Sequence, residues 1–339
     1  MQINSSFKIL SFKEERLLSH EELKDYYNAY REYVVNRKLQ TTTKGAITVA
    51  PKLKKYVNKL DFFVTDLLAG CKLERVVDGI ENIPKDGGVL FANTHQGILD
   101  NLCWIPSNPR HSVILSASDV RKVLINVQLC TGMVLVNKDK QDKENRQDAK
   151  LDMMHILMKG HTIMYFPEGT WNLSPNKLFL PMSFGFLDVA QKAGVPVVPM
   201  VTELTYDTST DKEKITKMHI RYGKPIYVSM EDDLLQKLED YQETIATIRW
   251  ELIEEKGLFE RKTITNWDYI NYLKGNYRNL KFGKKDLKLE RSRIRGASDD
   301  FYLFHHINDV PFNEKGELLE TEEVKRINAI MDREFAHCL

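Results

Sequence analysis

His95 and Asp100 stand five residues apart in Asn93-Thr94-His95-Gln96-Gly97-Ile98-Leu99-Asp100, directly after the apolar run GGVLFAN. An imidazole held by a carboxylate is a general base in one tautomer. Its pKa lies near neutrality, and the carboxylate orients the ring and stabilises the imidazolium. Five residues place two side chains roughly 140° apart around a regular helix. The two can therefore meet only if His95 sits in the turn before a helix and Asp100 within its first turns. A strand-like run, Gly97 and a helical start offer that arrangement. The residues alone leave open a structural histidine hydrogen-bonded in a turn. The same spacing at His20 and Asp25 falls in a charged helical stretch with no strand before it, and reads as a solvated face.

A second element, Phe166-Pro167-Glu168-Gly169-Thr170, follows the run HTIMYF. Pro167 fixes one dihedral and Gly169 admits unusual ones, so the loop has a set shape. A carboxylate there takes a substrate hydroxyl or holds neighbouring backbone; the alternative is a surface glutamate in an ordinary strand-to-loop turn. A third block is Gly194-Val195-Pro196-Val197-Val198-Pro199. In open α/β sheets ligands bind outside the carboxyl ends of strands, where the first two elements are expected.

The elements that must position these residues lie in 71–228. Short runs rich in Val, Ile, Leu or Phe (GGVLFAN, SVILSAS, GMVLVN, HTIMYF, GVPVVPMV) alternate with helix-length segments (DVRKVLINVQLC, KENRQDAKLDMMHILMKG, SFGFLDVAQKAG). That alternation predicts an α/β fold, a mainly parallel mixed sheet with helices on both faces. MHIRYGKPIYV reads as a last strand pair or edge. Residues 1–70 and 229–339 are helical extensions. In the first, Tyr26, Tyr30, Tyr33 and Val34 share a face. A helix after Pro51 ends at Gly70 and puts Leu53, Val57, Leu60, Phe63 and Leu67 on one side, with Lys52, Lys54, Lys55 and Lys59 near its start. It is either an interfacial helix or one packed over the sheet. In the second, EDDLLQKLEDYQETIATIRWELIEEKG is amphipathic, and 281–295 is a basic run interrupted by Asp286 and Glu290.

The order of the three blocks resembles the glycerolipid acyltransferase family, the HX4D type to which bacterial 1-acylglycerol-3-phosphate acyltransferase belongs. The likeness covers roughly residues 75–225. It implies His95 as base, Asp100 as its partner, and Glu168, Gly169 and Thr170 as part of the acceptor site. Val195, Pro196, Val197 and Pro199 would match the apolar fourth block, which contacts the acyl donor or shapes the pocket. The chain departs from the family elsewhere. The usual Gly-x-x-Phe-Ile-x-Arg reads Gly132-Met133-Val134-Leu135-Val136-Asn137-Lys138, with Lys138 where the phosphate-binding arginine is expected. Trp171 stands where arginine often follows Glu-Gly-Thr, and Ser183-Phe184-Gly185 replaces a common Lys-x-Gly. Lysine holds phosphate as a point charge, without arginine's bidentate fork.

The expected reaction is transfer of a fatty acyl group from acyl-CoA or acyl carrier protein to a hydroxyl of a glycerolipid such as lysophosphatidate, without cofactor or metal. The oxyanion donors are expected among backbone N–H groups near the turn after Asn93 or near Gly169. Two alternatives stand beside it: transfer to a non-phosphorylated lipid or glycan hydroxyl, and lipid binding without turnover. No Gly-x-Ser-x-Gly elbow, P-loop, zinc motif or Rossmann fingerprint is present. With 49 Lys+Arg against 48 Asp+Glu, a whole-protein electrostatic nucleic-acid binder is not expected. Cys71, Cys103, Cys130 and Cys338 are too few and too widely spaced for a disulfide scaffold. No apolar run is long enough for a transmembrane helix and no secretory signal is read at the N-terminus. The expected place is the cytoplasm, with room for peripheral contact with the inner face of the membrane.

Overall fold

A computed structural model of the chain describes residues 7–39, 41–48, scattered helical positions between 52 and 67, 72–95, 100, 107–117, 132–137, 142–169, 172, 178–180, 182–207 and 214–255. The strands are β1 (Glu74–Asp78), β2 (Val89–Asn93), β3 (Ser112–Ala117), β4 (Met133–Val136), β5 (Thr162–Tyr165), β6 (Val197–Asp207) and β7 (Lys214–Tyr222). They form one sheet in the order β1-β7-β6-β2-β5-β3-β4. Every pairing is parallel except β6 with β7, so β1 and β7 run against the other five. The fold is α/β with a mainly parallel mixed sheet, as the alternation predicts.

The pattern inside each strand fixes which side chain faces which layer, because successive residues point to opposite faces. Leu90, Ala92, Val113, Val134, Ile163, Val197 and Val201 enter one core. Their neighbours Val89, Phe91, Ile114, Met133, Met164, Val198 and Met200 enter the other. The first core is closed by four helices: α2 (His20–Asn36), α4 (Lys143–Met158), α5 (Gly185–Ala193) and α6 (Leu234–Glu255). Two shorter α-helices are α1 (Phe12–Glu15) and α3 (Thr41–Thr48). The helix expected over DVRKVLINVQLC, Cys71, Cys103, Cys130, the 281–295 basic run and Cys338 lie outside the described residues.

The N-terminal helices belong to the first core. Ser19 caps α2 in a reciprocal box with Glu22, which fixes where the helix begins. Tyr30 and Val34 are fully buried, with Tyr27 beside them; Tyr26 and Tyr33 are half-buried and stack with Tyr30 on the Phe7 ring. The charged contacts are as deep. Arg37 bonds Asp148 and the fully buried Asp152, which also accepts from Thr43 Oγ1 at 2.7 Å. Buried Lys192 of α5 joins Asp188 of its own helix to Glu15 of α1, at 2.6 and 2.7 Å. Burial pushes the Glu15 carboxyl up while the nearby Lys192 charge opposes that shift.

One part of the sheet differs from the expectation. MHIRYGKPIYV supplies a single strand, β7, and Ile226 makes an isolated antiparallel bridge to Val197. The edge strand is β1, ERVVD, which carries charges at both ends of two valines and so lacks an apolar run. Its backbone pairs with β7 regardless of that polarity.

Candidate active site

Five parallel strands end on one edge, and β2 ends there at Asn93. Asn93 is buried and donates from Nδ2 to Thr202 Oγ1 at 3.1 Å. The Thr94 N–H bonds the Met200 carbonyl, so the chain leaves β2 still attached to β6. His95 follows in the turn, and Asp100 is helical. His95 Nδ1 lies 3.0 Å from Asp100 Oδ2, and Asp100 is fully buried. The two expected partners are therefore brought together. The His95 ring stacks on Phe166 at 4.0 Å between centroids. A buried carboxylate accepting from Nδ1–H puts the basic lone pair on Nε2. That is the arrangement a general base needs.

Glu168 has a different place from that expected of an acceptor ligand. It is buried, and its two oxygens accept from two backbone N–H groups: Oε1 from His95 and Oε2 from Leu180, both at 2.8 Å. The side chain joins the His95 turn to segment 178–180. Of the two roles open from the sequence, it performs the holding of neighbouring backbone. Asn172 donates its N–H to the His95 carbonyl, so the backbone of His95 is held on both sides. Burial drives the Glu168 carboxyl up to about 7, against its two N–H bonds and the Arg249 charge, which lower it; Asp100 raises it further.

Gly169 has φ +69°, the left-handed region that glycine enters without strain, and its N–H bonds Phe166 O in a tight turn. The N–H groups of Thr94, His95 and Gly169 are thus all committed within the protein. The expectation of oxyanion donors in these two turns otherwise falls on 96–99, 170 and 171, which lie outside the described residues. Lys138, Thr170 and Trp171 lie outside the described residues. The strands preceding them, β4 and β5, end on the same edge as β2. Val197, Val198 and Pro199 form the start of β6 in the sheet interior, and Val195 is buried just before it. Val197 pairs with Leu90, five residues before His95. The fourth block thus leads into and starts β6, with Pro199 opposite Ala92, three residues before His95; Pro196 precedes the strand.

One residue of the site surroundings went unread in the sequence. Arg249 of α6 is buried, with Nε 3.3 Å from Glu203 Oε2 and Nη1 on the Leu178 carbonyl. The signal for it was available. Leu238, Tyr241, Ile245, Ile248 and Leu252 make the buried stripe of α6, and Arg249 lies four residues from Ile245 and three from Leu252. A charged residue inside an apolar stripe requires a buried partner.

Residues 74–203 match the Acyltransferase family model. The span is similar to acyltransferases of the glycerolipid type. Several proteins named 1-acyl-sn-glycerol-3-phosphate acyltransferase are similar to the chain. The one from Borreliella burgdorferi is 25% identical over 193 residues, 56% of this chain and 73% of that protein. The one from Brassica napus, chloroplastic, is 26% identical over 187 residues, 52% of this chain and 54% of the relative. The Saccharomyces cerevisiae protein is 25% identical over 203 residues, 58% of this chain and 64% of its own. The crystal structure of the 1-acyl-sn-glycerophosphate acyltransferase PlsC from Thermotoga maritima has a TM-score of 0.48 at 19% identity, covering 67% of this chain and 88% of that one. The matched span begins with β1 and ends with Glu203, so Arg249 reaches it from a helix beyond its limits.

Proposed function

We propose that the protein moves an acyl group from an acyl thioester to the free hydroxyl of 1-acyl-sn-glycerol-3-phosphate or a close lysoglycerolipid. The observation that carries this reading is the His95 Nδ1–Asp100 Oδ2 pair, 3.0 Å apart at the carboxyl edge of β2. It lies in a domain shared with proteins named for that activity. His95 Nε2 takes the acceptor's hydroxyl proton as its oxygen attacks the thioester carbonyl. The tetrahedral intermediate then expels the thiolate, which takes the proton back from the imidazolium. Asp100 stabilises that imidazolium and keeps the tautomer. Lys138 is the cation for the acceptor phosphate, and Gly169 and Thr170 border the acceptor. Either acyl-CoA or acyl carrier protein supplies the thioester.

Thiol release from long-chain acyl-CoA tests the reading. Release is expected to depend on added lysophosphatidate, and Lys138→Ala is expected to raise KM for it by about tenfold or more, the loss of one charge-assisted contact. Release only with a neutral lipid or sugar would move the acceptor to the other class. No release with either acyl-CoA or acyl carrier protein would remove catalysis from the reading.

The third party is a bilayer surface. Between residues 52 and 67 the described positions are helical, and Tyr56, Leu60, Phe63 and Leu67 are 71, 55, 67 and 68% exposed. Their spacing places them within an arc of about 60° on one face. Exposed Lys52 and Lys59, seven apart, run along its flank. Lys54 and Asp66 anchor the helix inward: Lys54 Nζ donates to Asn108 O at 2.7 Å, and Asp66 accepts from Leu73 N and Arg75. An apolar stripe with a cationic flank suits the interface of an anionic monolayer. No helix among the described residues is long and apolar enough to cross a membrane. Phe63→Asp with Leu67→Asp is expected to weaken sedimentation with phosphatidylglycerol vesicles by ~10-fold or more, given about 1.5–3 kcal/mol per buried large apolar side chain. Turnover of a water-soluble short-chain acceptor is expected to stay at the wild-type level. Equal sedimentation of both proteins would sink the interfacial assignment.

A further inference from the structure

Two buried groups, Arg249 and Glu203, belong to no part of the reaction just described, yet a continuous set of contacts leads from them to His95. Arg249 Nη1 donates to the Leu178 carbonyl. Two residues on, the Leu180 N–H donates to Glu168 Oε2. The other Glu168 oxygen accepts the His95 N–H, and the His95 ring is bonded to Asp100. Every link but the backbone step from Leu178 to Leu180 is a polar contact between groups that are buried or partly buried. Glu203 is fully buried and neutralises the guanidinium from the other side, so Arg249 is held in one place.

We propose that Arg249 of α6 is a positioning residue for His95, acting through the 178–180 segment and Glu168. This rests on the acyl-transfer reading of the site. A guanidinium is suited to the task because its planar fork bonds a carboxylate and a carbonyl in fixed directions at once. It has a second effect through charge. A carboxylate accepts both N–H bonds; a protonated carboxyl gives up part of that capacity to its own O–H. The groups facing Glu168 are the His95 turn, Asp100, Tyr241 of α6 and Arg249. Among those with a resolved influence, Asp100 opposes its ionisation, while the Arg249 charge and the backbone N–H groups favour it. Loss of the cation leaves Glu168 protonated to higher pH, and the His95 turn loses one of its two ties over that range.

The experiment is steady-state acyl transfer to lysophosphatidate across pH 5.5–9 for wild type, Arg249→Lys, Arg249→Met and the double variant Glu203→Gln/Arg249→Met. Folded fraction is followed by circular dichroism. The double variant matters because Arg249→Met alone strands a buried carboxylate and can unfold the chain. Both Met-containing proteins are expected to lose kcat by ~10–100-fold, as for a displaced general base, with KM for acyl-CoA within about twofold. The acid limb of the single Arg249→Met protein is expected to move up by about half a unit or more, since a nearby opposite charge shifts a carboxyl by about one unit or more; the double variant loses a cation and an anion together, so its limb is expected to stay near that of the wild type. Arg249→Lys keeps a cation, so its limb is expected to stay with the wild type while kcat falls. A folded double variant with wild-type kcat, or a folded Arg249→Met protein with an unmoved acid limb, would overturn the proposal and leave the acyltransferase reading intact. A wild type without transfer would overturn that reading first.

Discussion

His95→Ala is expected to reduce acyl transfer by ~10³-fold or more, since general base catalysis contributes about 10²–10⁴ and the residue also orients the attack. The side chain stacks on Phe166 and bonds Asp100 but is no part of either hydrophobic core, so the fold is expected to persist. Asp100→Asn separates orientation from mere presence. An asparagine turned with its amide toward Nδ1 favours the tautomer with its proton on Nε2, which has no lone pair there to accept a proton. A loss of ~10²–10⁴ follows, by analogy with the carboxylate of serine-protease triads. Single-turnover thiol release with saturating acyl-CoA measures both. A His95→Ala protein retaining a tenth of the wild-type rate would remove His95 from the reaction.

Glu168 carries the second large effect. Glutamate offers two acceptors to two backbone donors. Glutamine offers one acceptor and turns an NH₂ toward the other N–H. Glu168→Gln is therefore expected to cost about 1–3 kcal/mol at neutral pH, the penalty of a buried unsatisfied donor. It should also lower kcat by ~10²-fold, because the His95 turn shifts. The pH dependence has a definite sign. The folded carboxyl titrates at about 7 against an ordinary value of 4.5, chiefly through burial. The folded state holds the proton more tightly, so this group's contribution to stability is complete below pH 4.5 and is lost as pH rises to 7 and beyond. At about 1.4 kcal/mol per unit, the wild type should fall relative to Glu168→Gln by roughly 3 kcal/mol between pH 4.5 and 8. Urea unfolding of the two proteins at those pH values checks it. A constant difference in stability across the range would show that Glu168 is already ionised throughout.

The two cases also mark what residue types reveal before a structure is known. The His95–Asp100 pair was legible because side chains make the contact, and the strand ahead of it dictates the turn. The α/β alternation was legible because β2, β3, β4, β5 and β6 each carry a dense apolar run. β1 escaped because ERVVD has only two apolar residues, and its place comes from backbone pairing with β7. The work of Glu168 was hidden for a similar reason. Its partners are main-chain N–H groups, 73 residues before it and 12 after it, and every residue but proline has one. Arg249 was legible in principle, as a cation inside a buried stripe. Its partner Glu203 lies 46 residues away on β6, and only the packing of α6 on the sheet names it.

The cross-helix packing bears on how such proteins can be recombined. The span matched by the family model, 74–203, contains the sheet residues of the first core but neither α2 nor α6. Tyr30 and Val34 come from one side of it, and Tyr241 and Ile245 from the other, all fully buried. The matched span is thus smaller than the packed core it belongs to. A hybrid spliced at 74 and 203 would inherit half of an interlocked interior from each parent, with methyl groups and rings meeting partners they were not selected beside. The sheet, α2 and α6 have to travel together for the hybrid to fold.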